Sequence, residues 1–428
     1  MKLSIIPKEA KSSSFLRSGP IDRMARKALF NLLRRIRRGS VSIKDGVGVR
    51  VFGERSNATN GLVAKVEVRH PSFYASIALG GSIGAGEAYM AGVWSVDDLT
   101  TLVRIILLNQ DVFGRMDAGL ARFKAPLYQF YHLLRKDTRR GSRENIAAHY
   151  DLGNDFYRLF LDQTMTYSCG IFERDESTLE QASIAKYNRL CRKLCLSPGD
   201  HVLEIGSGWG GFAIHAARTY GSRVTTTTIS RSQFEFAEER IRQAGVGDRV
   251  DILLEDYRDL KGKYDKLVSI EMIEAVGYSY LDTFFRVCSR LLKTDGMMAL
   301  QAITIADQAF DRHKRSVDFI KRYIFPGSCI PSISAICRSV ARVTDLNLDH
   351  LENLTPHYAR TLRLWRERLF RNIDGLKKLG FSEAFVRMWE FYFCYCEAGF
   401  QERYLGDVQM RLIKPLARPA PLLPSLAD

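Results

Sequence analysis

The stretch HVLEIGSGWGGFAIHAA, His201 to Ala217, constrains the fold more than any other part of the chain. An apolar run of strand length leads into a glycine turn and then into a helical pattern, which is the βα junction of a parallel sheet. Two cofactor fingerprints compete for the turn. Gly206, Gly208 and Gly211 satisfy G-x-G-x-x-G, a dinucleotide turn, while Glu204, Gly206, Gly208 and Gly210 give E-I-G-S-G-W-G.

A nicotinamide site needs an acid about 20 positions further on, at the end of the second strand, to bind ribose hydroxyls. Here that strand ends TTTTISRSQ, with no acid. The remaining pattern is that of S-adenosylmethionine methyltransferases. Its glycines let the backbone approach the methionine portion without a Cβ in the way, and Glu204 orients the ammonium through the loop or a water. Ser230 and Gln233 then stand in for the missing acid at the ribose.

Further runs, RVTTTTIS, RVDILLED, DKLVSIEM and GMMALQAIT, alternate with amphipathic segments, as in a parallel sheet with helices on both faces. The expected class is α/β: a Rossmann-like class I methyltransferase sheet with a helical insertion between Ile305 and Gly380, plus a small N-terminal α+β domain. DVQMRLIK is expected to join the sheet edge. Upstream, SVSIKDGVGVRVFG and GLVAKVEVRH alternate like half-buried strands, and SVDDLTTLVRIILLN reads as a helix with Ser95 as N-cap. The polar stretch Arg135 to Asn145 reads as a hinge. These signals divide the chain into a basic amphipathic segment over 1–40, an α+β domain over 41–140 and a catalytic domain over 141–428.

Lys and Arg number 63 against 48 Asp and Glu, and the resulting charge of +15 favours a polyanionic partner, nucleic acid or an anionic membrane. Met24 to Arg38 places Leu29, Leu32, Leu33 and Ile36 at helical spacing among six basic residues. Such a helix either docks on its own domain or lies on anionic lipid. MKLSIIPKEAKSSSF lacks the apolar core of a secretory signal, so the expected location is cytoplasmic, peripheral to the inner membrane. The 8 cysteines form no CxxC pair and the 8 histidines are scattered, so no metal is expected.

HYDLGNDFYRLFLDQTMTYSCGIF before the turn, then LEDYRDL, IEAVG, YIFPGSCIPS and CEAGF after it, stand in the order found in cyclopropane fatty acid synthases. From about Val41 onward the chain resembles a bacterial member of that family, N-terminal domain included. The resemblance implies methylene transfer from S-adenosylmethionine to the cis double bond of unsaturated phospholipid acyl chains. It also implies a carbocation deprotonated by bound bicarbonate. In the family a cysteine, a glutamate, a tyrosine, a histidine and an isoleucine backbone hold that anion. They correspond here to Cys169, Glu274, Tyr392, Gln301 and Ile303. For the cofactor, the resemblance adds Tyr167 and Ser168 at the carboxylate, Thr228, Ile229 and Gln233 at the ribose, and Asp256 with Tyr257 at the adenine. Tyr150 to Tyr157 would close over them.

Three departures bear on the product. Gln301 replaces the histidine, Ala275 replaces a histidine after the motif glutamate, and Glu271 stands where the family tends to be small. An amide still donates and accepts but cannot become cationic. Glu271 sits one helical turn before Glu274, close enough to raise the pKa of either. Proton loss from the new methyl group gives a ring, and the other outcome is a methylene- or methyl-branched chain. The expected partners are acyl chains and an anionic membrane surface, with no nucleic acid, and a homodimer as the oligomeric expectation. A nucleic-acid methyltransferase would need a motif of the N-P-P-Y type where SIEMIEAVG stands, and a lipid-binding relic would not need Cys169, Glu274 and Tyr392 together.

Overall fold

The computed structural model describes residues 19–54, 61–113 and 152–422. The expected hinge over Arg135 to Asn145, and Tyr150 of the closing segment, lie outside them. The chain forms two compact units.

The first unit is built on a four-stranded sheet of β1 (Gly39–Asp45), β2 (Gly48–Glu54), β3 (Val63–Val68) and β4 (Trp94–Val96), in the order β2-β1-β3-β4. Asp45 organises it. Oδ1 accepts the backbone N–H groups of Val47 (2.9 Å) and Gly48 (3.2 Å), closing the β1–β2 turn. Oδ2 accepts from Arg26 Nε (2.7 Å) on the helix Pro20–Leu33 and from the Tyr74 hydroxyl (2.5 Å) on the helix Ser72–Met90. These charge-assisted bonds hold the Asp45 carboxyl below its ordinary value despite burial.

The basic helix therefore docks on its own unit. Leu29, Phe30, Leu33 and Ile36 are buried, and the Phe30 ring packs on Phe52 (centroids 5.1 Å) and Tyr74 (5.9 Å). Its apolar face is spent in the core, while Arg23, Lys27, Arg34, Arg35, Arg37 and Arg38 stay exposed. The second expected helix begins later than SVDDL suggests. Ser95 lies in β4, and Asp98 caps Leu99–Leu108 by accepting from the Thr101 N–H (3.1 Å).

Two later segments, Ser316–Pro326 and Ile373–Tyr404, belong to this unit rather than to one continuous catalytic domain over 141–428. The physical reason is aromatic packing backed by buried polar contacts. Phe319 lies so close to Gly86 that a Cβ there would meet its ring at 2.3 Å, and it packs on Phe391 at 4.5 Å. The Tyr89 hydroxyl donates to Glu390 (2.7 Å) and the Thr100 hydroxyl to Glu397 (3.3 Å).

The second unit carries a seven-stranded sheet: β5 (His201–Ile205), β6 (Arg223–Thr228), β7 (Val250–Leu254), β8 (Tyr264–Ile270), β9 (Leu292–Ile305), β10 (Asn347–Asn353) and β11 (Leu405–Ile413). The order is β10-β11-β9-β8-β5-β6-β7. β5 to β9 pair in parallel, while β11 runs antiparallel to β9 and β10 antiparallel to β11. β11 is thus internal. The edge on that side is β10, whose DHLEN pattern is too polar to read as a strand from its sequence. Successive residues of β5 serve opposite faces. Leu203 and Ile205 join Phe284, Phe285 and Leu291 on one side, and Val202 joins Phe212, Ala213 and Val224 on the other. From β5 the sequence runs to β6 on one side and returns to β8 on the other, so a crevice opens at the carboxyl end of β5.

Removing the Phe30 ring opens a cavity between helix and sheet. Phe30→Ala should destabilise the first unit by about 3–5 kcal/mol, read as a lowered denaturant midpoint in chemical unfolding.

Candidate active site

The glycine turn sits at that crevice. Gly206, Gly208 and Gly210 have φ of 96°, 49° and 82°, and Gly210 caps the helix Gly211–Tyr220 in the left-handed region that a side chain disfavours. A Cβ on Gly208 would meet nothing within 4 Å, so the turn is open there. A Cβ on Gly211 would lie 2.5 Å from the Tyr187 hydroxyl, which requires glycine for packing alone. Glu204 is buried at the end of β5 and accepts from the Thr226 hydroxyl (2.6 Å). Burial pushes its carboxyl up to about 8. The segment before the turn meets it: Trp209 Nε1 donates to Asn154 (2.7 Å), and the Trp209 ring packs on Tyr157 at 4.9 Å.

The other expected cofactor residues fall in two groups. Thr228 and Gln233 are buried and joined at 3.0 Å, with Ile229 half-buried beside them. Ser230 is the N-cap of Arg231–Gln243 and accepts the Gln233 N–H, so it serves the helix first. The Asp256 carboxylate is held by Arg258 at 2.8 and 2.6 Å, and Tyr257 packs edge-on to Phe284. Tyr167 lies in an aromatic wall, 5.5 Å from Tyr157 and 5.1 Å from Trp365. The Ser168 hydroxyl accepts from Lys186 Nζ at 2.7 Å.

Cys169, Glu274, Gln301 and Ile303 come together at the carboxyl ends of β8 and β9, and Glu271 ties them into one cluster. Glu271 Oε1 accepts the Cys169 N–H (2.8 Å) and Gln301 Nε2 (2.8 Å), and Oε2 accepts the Tyr358 hydroxyl (2.5 Å). Gln301 Nε2 also reaches the Cys169 carbonyl (3.2 Å), and its Oε1 accepts from Gln409 (2.9 Å). Glu274 Oε1 accepts the Ile303 N–H (2.5 Å), while its buried Oε2 has no hydrogen-bond partner. Burial and the neighbouring Glu271 push the Glu274 carboxyl up to about 8. Burial raises Cys169 too, and Asp407 on β11 rises through burial and then through Glu271 and Glu274. Glu271 sits at φ 48°, a backbone conformation that costs a non-glycine residue roughly 1–2 kcal/mol. It lies beyond the end of β8 and not on a helical turn with Glu274. Tyr392 belongs to the first unit, its ring near Trp389 and Phe325.

Sequence reasoning missed Lys186, Tyr358 and Asp407. Lys186 was legible, because it follows Ala182 and precedes Leu190 at helical spacing on the buried face of Leu179–Lys193. Asp407 stands among the polar residues of β11, with Gln409 and Arg411 further along it. Among the described residues no group of acids, histidines and cysteines could hold a metal, and no helix is long and apolar enough to cross a membrane.

A family model described as mycolic acid cyclopropane synthetase matches residues 137–410. The chain belongs to this family. Tuberculostearic acid methyltransferase UfaA1 of Mycobacterium tuberculosis is 41% identical over 78% of this chain and 79% of its own length. Cyclopropane-fatty-acyl-phospholipid synthase of Escherichia coli K12 is 35% identical over 86% of this chain and 94% of its own. The solved structure of mycolic acid cyclopropane synthase CmaA1 with SAH and CTAB matches at 33% identity and a TM-score of 0.58, over 64% of this chain and 98% of that one. The fold is that of the S-adenosylmethionine-dependent methyltransferases.

The open glycine turn beside a buried glutamate fits a cofactor bearing an amino-acid group. The donors expected for bicarbonate do not fit that anion equally well. Gln301 is committed to Glu271 and the Cys169 carbonyl, and the Ile303 N–H to Glu274. The Cys169 thiol points at the Gly170 carbonyl (3.2 Å).

A carboxyl whose folded pKa is raised binds its proton more tightly in the folded state. Stability from Glu204 is therefore greatest below its unfolded value and falls as pH rises towards about 8. Glu204→Gln should flatten the loss of thermal stability of the cofactor-free protein between pH 5 and 8. The same variant should weaken S-adenosylhomocysteine binding in calorimetry.

Proposed function

We propose that the protein transfers a one-carbon unit from S-adenosylmethionine to the double bond of an unsaturated acyl chain in membrane phospholipid. The observation that carries this reading is the pair of carboxyls, half-buried Glu271 and buried Glu274, one strand away from the glycine turn in the sheet order. Its relatives named for phospholipid and mycolic acid cyclopropanation support the substrate class.

S-adenosylmethionine supplies an electrophilic methyl group. On this reading Tyr167, Ser168, Glu204 and the turn Gly206, Gly208 and Gly210 hold its methionine portion. Thr228, Ile229 and Gln233 face its ribose, and Asp256 with Tyr257 its adenine. An alkene is a weak nucleophile, so these residues must hold the reacting carbon in line and keep water out. The rings of Tyr157, Phe160, Tyr167 and Trp365, at 5.1 to 6.1 Å from one another, form a wall suited to both tasks. Their faces also favour a positive charge on the chain.

Proton loss from the new methyl group closes a cyclopropane ring. The second reading is a methylene or methyl branch, favoured by Gln301 in place of the family histidine and by the identity to tuberculostearic acid methyltransferase. Mass spectrometry of fatty acid methyl esters, after incubation with unsaturated phospholipid and methyl-labelled cofactor, should show acyl chains heavier by one labelled carbon. Retention time separates ring from branch. Unlabelled chains with consumed cofactor would overturn the substrate assignment.

The charge of +15 and the exposed arginines flanking Leu33 support a peripheral, electrostatic attachment to anionic membrane. Because the helix's apolar face is buried, attachment should depend on charge alone. Replacing Arg34, Arg35, Arg37 and Arg38 with Glu should abolish most sedimentation with anionic vesicles at low salt, and raised salt should do the same to the wild type.

A further inference from the structure

Resting on the function proposed above, we infer that the Glu271 carboxylate is the general base of the reaction, a protein-borne replacement for a diffusible bicarbonate. Three donors converge on it: the Cys169 N–H, Gln301 Nε2 and the Tyr358 hydroxyl, at 2.8, 2.8 and 2.5 Å. Two of these donors come from residues expected to bind the anion. A carboxylate and bicarbonate present the same pair of oxygens to such donors, and the side chain is already seated among them. The backbone shows the same commitment. Glu271 holds a left-handed φ of 48° where glycine would be unstrained, so the fold tolerates strain to keep this carboxyl in place.

Its surroundings suit a base. Burial raises the Glu271 carboxyl above its ordinary value, against the stabilising Tyr358 hydroxyl, Cys169 N–H, Lys186 and Gln301. Burial and the neighbouring Glu271 push the Glu274 carboxyl up to about 8, and burial with both glutamates raises Asp407. Glu271 is the carboxyl of the cluster with the most donors, and donated hydrogen bonds favour its charged form. Lys186, fully buried, supplies the nearby positive charge.

The alkene π pair forms the new bond to the methyl carbon, and the carbon–sulfur pair leaves with sulfur as a neutral thioether. A cation remains on the neighbouring chain carbon. Glu271 takes one proton, becoming a carboxylic acid, and the released C–H pair closes either the ring bond or a new double bond. Glu271 loses the proton to solvent before the next turnover.

The test compares wild type with Glu271→Gln and Glu271→Gly. Wild-type turnover should be unchanged in bicarbonate-depleted buffer, and carbon-13 NMR with labelled bicarbonate should show no bound anion. Glu271→Gln should lose about 10²- to 10⁴-fold in turnover while its S-adenosylhomocysteine affinity and melting temperature stay within a few-fold and a few degrees of wild type. Glu271→Gly, which relieves the backbone and empties the donor set, should bind labelled bicarbonate and recover activity when it is added. A wild type that binds and requires bicarbonate, or a Glu271→Gln enzyme at full rate, would overturn the assignment. Since the wild-type bicarbonate measurement needs no variant, poor folding of either substitution leaves the proposal exposed to refutation. Failure of the proposed function is separately visible, as a wild type that modifies no acyl chain under any buffer.

Discussion

Glu274 and Asp407 lie buried beside a half-buried Glu271, with Lys186 as the nearby buried ammonium, and this imbalance governs the site. Glu271, Glu274 and Asp407 cannot all ionise beside Lys186 alone, since each unpaired buried charge costs several kcal/mol. The structure resolves the conflict unequally. Glu271 receives three hydrogen bonds, Glu274 accepts one backbone N–H and leaves Oε2 without a partner, and Asp407 lies beside the Cys169 thiol. Similar side chains thus meet different surroundings, the condition under which acid and base roles separate.

The sheet supplies those surroundings. Parallel strands end together, and the crevice at the end of β5 sets the glycine turn one strand from the carboxyls beyond β8. β11 then enters antiparallel beside β9, pairing Asp407 with Ile303 and Gln409 with Gln301. That pairing explains why Gln301 is so firmly held. Its amide donates to Glu271 at one end and accepts from Gln409 at the other, so both ends are engaged.

Much of this was legible in the sequence. Strands β5 to β9 were marked by apolar, β-branched runs, and the glycine turn by Glu204 and its missing partner acid. Cys169, Glu274, Gln301 and Ile303 were reached through motif resemblance, and the structure brings them together. What stayed hidden depends on tertiary contact. β10 is a polar edge strand whose pairing with β11 no local pattern announces. Glu271 was noticed as an extra carboxylate, yet its part in the cluster rests on a left-handed backbone and on Tyr358, a residue 87 positions away in the chain. Likewise the basic helix showed an apolar face without showing that Phe52 and Tyr74 cover it.

The division into units was the least legible feature, and its cause is connectivity. The family match spans 137–410 without a break, but Ser316–Pro326 and Ile373–Tyr404 leave the second unit to pack with the first. Composition marks a linker where apolar residues run out, and these segments carry many aromatic residues, because each is core material for the unit it joins. Phe319 against Gly86 is a contact made by residues more than 200 positions apart, with the whole parallel sheet inserted between them. A chain threaded in this way cannot be separated by one cut at a polar hinge. The first unit's core is completed only after most of the catalytic sheet has been traversed, so the two units depend on each other through the covalent path of the chain.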